Sequence, residues 1–96
     1  MKTKQFLKEA GIYPNLLGFN YILRAVEIAK ERGNTKIVDG IYDEIAKEYK
    51  TKKTCVERGI RTVIQHISPE MFEKVGVTIK LTNGQFIYFC AFMLED

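Results

Sequence analysis

The chain has 96 residues, a formal net charge of +3, 46% hydrophobic residues and 28% charged residues. These values fit one globular domain over residues 1–96 and exclude a disordered or low-complexity chain. The N-terminus lacks the apolar run of a signal peptide, and the longest apolar run, Phe86 to Leu94, is too short to span a bilayer. We therefore expect a cytoplasmic domain that does not enter a membrane.

Residues suited to catalysis or metal binding are scarce. His66 is the only histidine, and Cys55 and Cys90 stand apart with no Cys-x-x-Cys pairing. Zinc sites and Ser/His/Asp sites need more ligands or partners than this, and Glu57 has no partner carboxylate or phosphate-binding glycine loop. We predict no enzymatic activity, no metal site, no cofactor, and thiols that stay free in a reducing compartment.

The N-terminal third predicts two helices. Apolar residues at helical spacing mark a short helix over Lys2–Ala10, which Gly11 ends. After Pro14, a longer helix runs from about Leu16 to Arg32 and stops at Gly33-Asn34. Its apolar side is unusually wide, so we expect this helix to be the central packing element.

Two further helices with a tight polar turn between them follow within Asp39–Ile67. Lys50–Lys53 contains no apolar residue, and either Thr51 or Thr54 is suited to cap the second helix. The apolar stripes are Ile41, Ile45 and Tyr49 in the first helix and Val56, Ile60, Val63, Ile64 and Ile67 in the second. This order is that of a helix-turn-helix.

The second helix of this pair has a polar and basic outer face. The residues left pointing outward are Thr54, Glu57, Arg58, Arg61 and Gln65. The segment 47–61 holds six basic residues against two acidic ones, a net +4, whereas the rest of the chain holds nine against ten, a net −1. Such a concentration of positive charge is typical of a phosphate-binding surface, although ordinary helical domains also have solvated basic faces.

The C-terminal part satisfies two conflicting local rules. Ser68-Pro69-Glu70 first predicts the start of a short helix. Alternation over Val77–Leu81, followed by Asn83-Gly84, then predicts a β-hairpin, which would make the fold a winged helix. Thr82–Gln85, however, has the spacing of a capping box, which predicts a helix over Asn83–Glu95. The residues alone leave both alternatives open.

Three blocks of sequence carry a resemblance that covers almost the whole chain. They are Gly11-Ile12 with Gly18-Phe19-Asn20-Tyr21, then Tyr42-x-x-Ile45-Ala46-Lys47 with Val56-Glu57-Arg58-x-Ile60-Arg61, and finally Thr82-Asn83-x-x-Phe86-Ile87. In this order they resemble the C-terminal DNA-binding domain of the stage zero sporulation protein A response-regulator family. The resemblance implies an all-α fold, a compact bundle of about six helices with a central helix-turn-helix, and a helix over Asn83–Leu94.

The resemblance also implies a function. It indicates a cytoplasmic bacterial transcription regulator of sporulation whose recognition helix, over about residues 54–67, enters the major groove of double-stranded DNA at a short asymmetric box, often as tandem copies or a homodimer. Glu57 and Arg58 match positions at the DNA interface, and Arg61 matches a basic position one turn on. A glutamate can accept from cytosine N4, and an arginine can bond guanine or phosphate.

We predict a DNA-binding set that combines these positions with the helix N-terminus, where the helix dipole favours phosphate. The set is Lys50, Lys52, Lys53, Thr54, Cys55, Glu57, Arg58, Arg61 and Gln65. The resemblance implies an arginine where Cys55 stands, so the family's DNA target is not carried over to this chain.

The family's regulators carry an N-terminal receiver domain, which this chain lacks. We expect either an excised effector domain or a free-standing one, with a receiver domain or a related regulator as further partners. The alternative function is an interaction module of the same fold. It would bind a related regulator, or a second copy, through Phe89 or Phe92 of the apolar C-terminal helix.

Overall fold

The computed structural model describes residues 1–33 and 38–94 of the chain. These residues form six α-helices and no β-strand. The helices are α1 (Thr3–Glu9), α2 (Leu17–Arg32), α3 (Val38–Tyr49), α4 (Lys53–His66), α5 (Pro69–Glu73) and α6 (Asn83–Tyr88), and a π-helical turn, Phe89–Met93, continues α6. The predicted all-α bundle is confirmed, and the winged-helix alternative is wrong. The predicted ends at Asn34 and Glu95 lie outside the described residues.

α2 is the central element, as its wide apolar side predicts. It packs against α1, α3, α4, α6 and the π-helical turn, and its C-terminus ends at Gly33 in the left-handed conformation.

Four phenylalanine rings form a cluster in the structure. Phe6, Phe72, Phe86 and Phe89 lie with ring centroids 6.0–6.4 Å apart and join α1, α5 and α6. No helix in the described part of the chain has the length and apolarity that a bilayer crossing requires.

α2 and α4 approach each other most closely at two glycines. A Cβ atom on Gly18 would lie 2.5 Å from Val63 Cγ2 and 2.6 Å from the Gly59 carbonyl oxygen. A Cβ atom on Gly59 would lie 3.0 Å from Tyr21 Cδ2. Because glycine has no Cβ atom, Gly18 lets α4 pack directly against α2. This contact sets the position of α4 relative to the core.

The capping box at Thr82 decides the fold of the C-terminal segment. The Gln85 N–H donates to Thr82 Oγ1 at 3.2 Å, and the Thr82 N–H donates to Gln85 Oε1 at 3.0 Å. The following residues are buried on nearly every side, because Phe86, Ile87, Phe89, Cys90 and Ala91 are at most 9% exposed. A strand with one solvated face would expose alternate residues, so the burial pattern fits a helix packed into the core.

Ser68 starts α5 as its sequence predicts. Its Oγ accepts the Met71 N–H at 3.2 Å, and Pro69 occupies the first helical position. α4 ends at His66 and α5 begins at Pro69, so the two helices are joined by only Ile67 and Ser68.

Candidate nucleic-acid interface

The turn that joins α3 to α4 is closed by two backbone hydrogen bonds. The Thr51 N–H donates to the Ala46 carbonyl at 2.9 Å, and the Lys50 N–H donates to the Lys47 carbonyl at 3.3 Å. This is the Schellman pattern, with Lys50 in the left-handed position that glycine usually occupies. Lys50 has φ of 53°. The left-handed conformation costs a residue with a Cβ atom about 1–2 kcal/mol, and here the tight turn between the helices imposes it.

The predicted threonine cap of α4 is wrong. Lys52 takes the cap position in an extended conformation, and no side chain accepts a hydrogen bond there. The Thr51 hydroxyl instead hydrogen-bonds to the side chain of Cys55 one turn on. The Cys55 N–H donates to the Lys52 carbonyl at 3.0 Å. The N–H groups of Lys53 and Thr54 have no acceptor among the described residues, so these two are open to an external anion.

One face of α4 is solvent-exposed along the length of the helix. Thr54, Arg58, Arg61 and Gln65 follow one another at spacings of four, three and four residues and are all exposed. The opposite face, which includes Val56, Ile60, Val63 and Ile64, is buried against α2 and α3. The structure therefore aligns four of the nine predicted residues in one exposed row on the second helix of the helix-turn-helix.

The cations of this surface differ in whether they form an ion pair with a carboxylate. Lys53 Nζ lies 3.0 Å from Asp39 Oδ2 on α3, and Arg61 Nη1 lies 2.8 Å from Glu57 Oε1 on α4. The side chains of Lys50, Lys52 and Arg58 make no hydrogen bond or ion pair with the part of the chain that the structure describes. These three cations are the ones available to a phosphate or a base without displacing a carboxylate.

α3 is held in place by an arginine of α2. Arg24 Nε and Nη2 donate to the two oxygens of Glu48, each at 2.9 Å, and this hydrogen-bonded fork lowers the pKa of Glu48 below its usual range. A second arginine of α2, Arg32, pairs with Glu44. Both links join α2 to α3 and involve none of the nine residues predicted to bind DNA.

Comparison with known families identifies this arrangement. The family model described as sporulation initiation factor Spo0A C terminal matches residues 3–94. The chain belongs to this family. It is therefore a DNA-binding effector domain of the sporulation-regulator type, from a family of regulatory domains and not of enzymes. Comparisons with curated proteins and with solved structures gave no match.

Within this Spo0A-type domain, Glu57 is less available to a base than the sequence predicts. It is half-buried, and its carboxylate bonds to Arg61, an ion pair in the favourable i, i+4 order. Its backbone carbonyl accepts a hydrogen bond from Asn83 Nδ2 at 3.0 Å. Asn83, the first residue of α6, thereby ties the C-terminal helix to the middle of α4. Sequence reasoning considered Asn83 for a hairpin turn and for the start of a helix, and it missed this link because the bond joins residues 26 positions apart.

Cys55 is exposed and lies next to Thr54, the first residue of the exposed row. Hydrogen bonds from the Thr51 side chain and the Lys52 backbone lower the pKa of the Cys55 thiol, and the charges of Lys52 and Arg58 add to this effect. Cys55 is exposed and Cys90 is buried, and neither forms a disulfide. At this position the domain presents a small, exposed thiol with a lowered pKa.

Proposed function

We propose that this domain is a sequence-specific DNA-binding transcription regulator of the bacterial cytoplasm, and that α4 is its recognition helix in the major groove. The observation that carries the proposal is the exposed row Thr54, Arg58, Arg61 and Gln65 on the second helix of a helix-turn-helix. No other helix of the described chain combines an exposed polar face of this length with an open, basic N-terminus.

Each part of this surface suits a different part of DNA. Arg58 reads a guanine through two hydrogen bonds, a contact that supplies about 1–3 kcal/mol of discrimination between bases. Lys50 and Lys52 bind phosphates beside the N-terminus of α4, whose free N–H groups add to the attraction. Arg61 keeps further guanidinium donors for DNA while Glu57 holds one of them. Thr54 and Gln65 supply polar contacts at the two ends of the row.

Cys55 gives this domain its own target sequence. An arginine at that position would offer five donors to a guanine or a phosphate, whereas a thiol offers at most one weak donor. We therefore expect a preferred box that differs from that of relatives with arginine there, bound as tandem copies or as a homodimer.

Selection from a random pool of duplexes tests the proposal. The wild-type domain should enrich one short sequence, and the Arg58→Ala variant should fail to enrich it. Lys30→Ala, which removes one exposed cation on α2 far along the chain from the interface, should enrich the same sequence as the wild type. Enrichment of no sequence by the wild-type domain would contradict sequence-specific binding.

A second function is favoured by an exposed apolar patch at the C-terminus. Tyr88, Phe92 and Met93 are 47%, 38% and 67% exposed, and the rings of Tyr88 and Phe92 lie 5.0 Å apart. Such a patch is typical of a protein-binding surface. The sequence offered Phe89 or Phe92 for this role; Phe89 is buried, so Phe92 is the ring that a partner can reach. Self-association that persists at high salt and disappears in Phe92→Ser would support this function.

A further inference from the structure

Among residues 1–33 and 38–94, Asp39 is the one residue outside α4 and its preceding turn that binds a cation of the proposed interface. Its carboxylate lies on the first turn of α3, and it reaches across the helix-turn-helix to Lys53, the first residue of α4. Lys53 Nζ donates to Asp39 Oδ2 at 3.0 Å. The two residues are 14 positions apart and lie on different helices, so this pair depends on how α3 and α4 pack and not on the spacing within one helix.

The two carboxylate pairs of this surface have different consequences for DNA. Glu57 and Arg61 lie on the same helix, and a guanidinium group has five donors, so Arg61 can keep Glu57 and still bond DNA. Lys53 carries one compact charge, and Asp39 approaches it from another helix. Phosphate binding by Lys53 requires its ammonium group to leave the carboxylate, or the carboxylate to stay beside the phosphate and repel it.

The surroundings of Lys53 strengthen this competition. The hydrogen bond to Asp39 raises the pKa of Lys53, and the charges of Asp39 and then Asp43 raise it further. Two carboxylates of α3, those of Asp39 and Asp43, therefore interact with the charge of Lys53. Its neighbours Lys50 and Lys52 have no such partner among the described residues. The carboxylates of α3 thus offset part of the positive charge of Lys53 at the N-terminus of α4.

We propose that Asp39 is a positioning residue that restrains DNA binding by competing with the phosphate backbone for Lys53. The inference rests on the proposed function, since it concerns the same interface. Its consequence is a lower affinity for DNA of any sequence: the phosphate contact is weakened in specific and non-specific complexes alike, whereas base contacts through Arg58 are unaffected.

The test is the affinity of the domain for a fluorescein-labelled mixed-sequence duplex, followed by anisotropy between about 50 and 200 mM salt. Asp39→Asn should bind about two- to fivefold more tightly than the wild type, the range that an exposed ion pair supplies. Its plot of log affinity against log salt should be steeper by up to about 0.9, the slope of one additional phosphate contact.

The decisive comparison is made in a second background. In Lys53→Gln, the Asp39→Asn substitution should change affinity much less, because the cation that it releases is absent. Asp43→Asn is the matched control: it removes the same charge one turn along α3 from a residue that does not hydrogen-bond Lys53, and its effect should be smaller than that of Asp39→Asn. Thermal unfolding of each variant establishes that it is folded at the assay temperature.

The outcomes separate this inference from the proposed function. The proposed competition would be overturned if Asp39→Asn raised the affinity for DNA equally with and without Lys53, or if it lowered the affinity. The proposed function, DNA binding, would stand in either case. If the wild-type domain bound DNA no more tightly than Arg58→Ala, the proposed function would be overturned, and this inference with it.

Discussion

The contact between Gly18 of α2 and Gly59 of α4 predicts that Gly18→Ala destabilises the domain. The added Cβ atom would lie 2.6 Å from the Gly59 carbonyl oxygen and 2.5 Å from Val63 Cγ2, and the oxygen belongs to helix backbone that cannot rotate away. Overpacking of this kind costs about 1–3 kcal/mol. Alanine recovers at most about 1 kcal/mol through its helix propensity. With a backbone clash we expect the larger cost, a net loss of about 2 kcal/mol.

Thermal unfolding followed by far-ultraviolet circular dichroism measures this loss. For a domain of this size, about 2 kcal/mol corresponds to a fall in Tm of roughly 8–16 °C. Gly84→Ala is the matched control, because its Cβ atom would lie 3.9 Å from Val38 Cβ, an ordinary contact, and its Tm should stay the same or rise. A Gly18→Ala domain as stable as the wild type would refute the argument that this contact sets the position of α4.

Three further predictions follow from local geometry. Lys50→Gly removes the left-handed strain and should raise the free energy of unfolding by about 0.5–1 kcal/mol, measured by urea denaturation; a lower urea midpoint would contradict this. Cys55 should react with iodoacetamide at a lower pH than an ordinary cysteine, since its thiolate forms earlier, and Thr51→Val should move the profile to higher pH. Cys90, which is buried, should stay unmodified and serves as the internal control. Thr82→Ala should lower stability by about 0.5–2 kcal/mol, the cost of a lost helix cap, and an unchanged urea midpoint would count against the capping box.

Short-range sequence patterns predicted the helices well. Apolar spacing located α2, α3 and α4, and the Ser68-Pro69 pair located α5, because each signal depends on neighbours within one or two turns. Thr51 misled the prediction of the cap. The left-handed conformation of Lys50 places the Thr51 hydroxyl beside Cys55, to which it bonds. A lysine at position 50 gives no sign in the sequence that this residue is left-handed.

Contacts between distant residues were not predictable in the same way. Nothing local to Asp39 indicates Lys53 as its partner, and Asn83 gives no local sign of its bond to the Glu57 carbonyl. Phe89 and Phe92 look equivalent in the sequence, yet one is buried and the other is exposed where the π-helical turn changes the register of side chains. Sequence patterns placed the nine residues predicted to bind DNA on α4 and the turn before it, but could not sort their cations into paired and unpaired ones.

The central claim is that Arg58 reads a base from the exposed row of α4, and the affinity of three proteins for two duplexes tests it most directly. The duplexes are the sequence that the wild-type domain selects and a scrambled version, and the proteins are wild type, Arg58→Ala and Arg58→Lys. Arg58→Lys retains the charge without the two-pronged geometry. We predict that both variants lose roughly 5- to 150-fold in preference for the selected duplex, the equivalent of about 1–3 kcal/mol. A preference that Arg58→Lys and Arg58→Ala both retain would contradict the account.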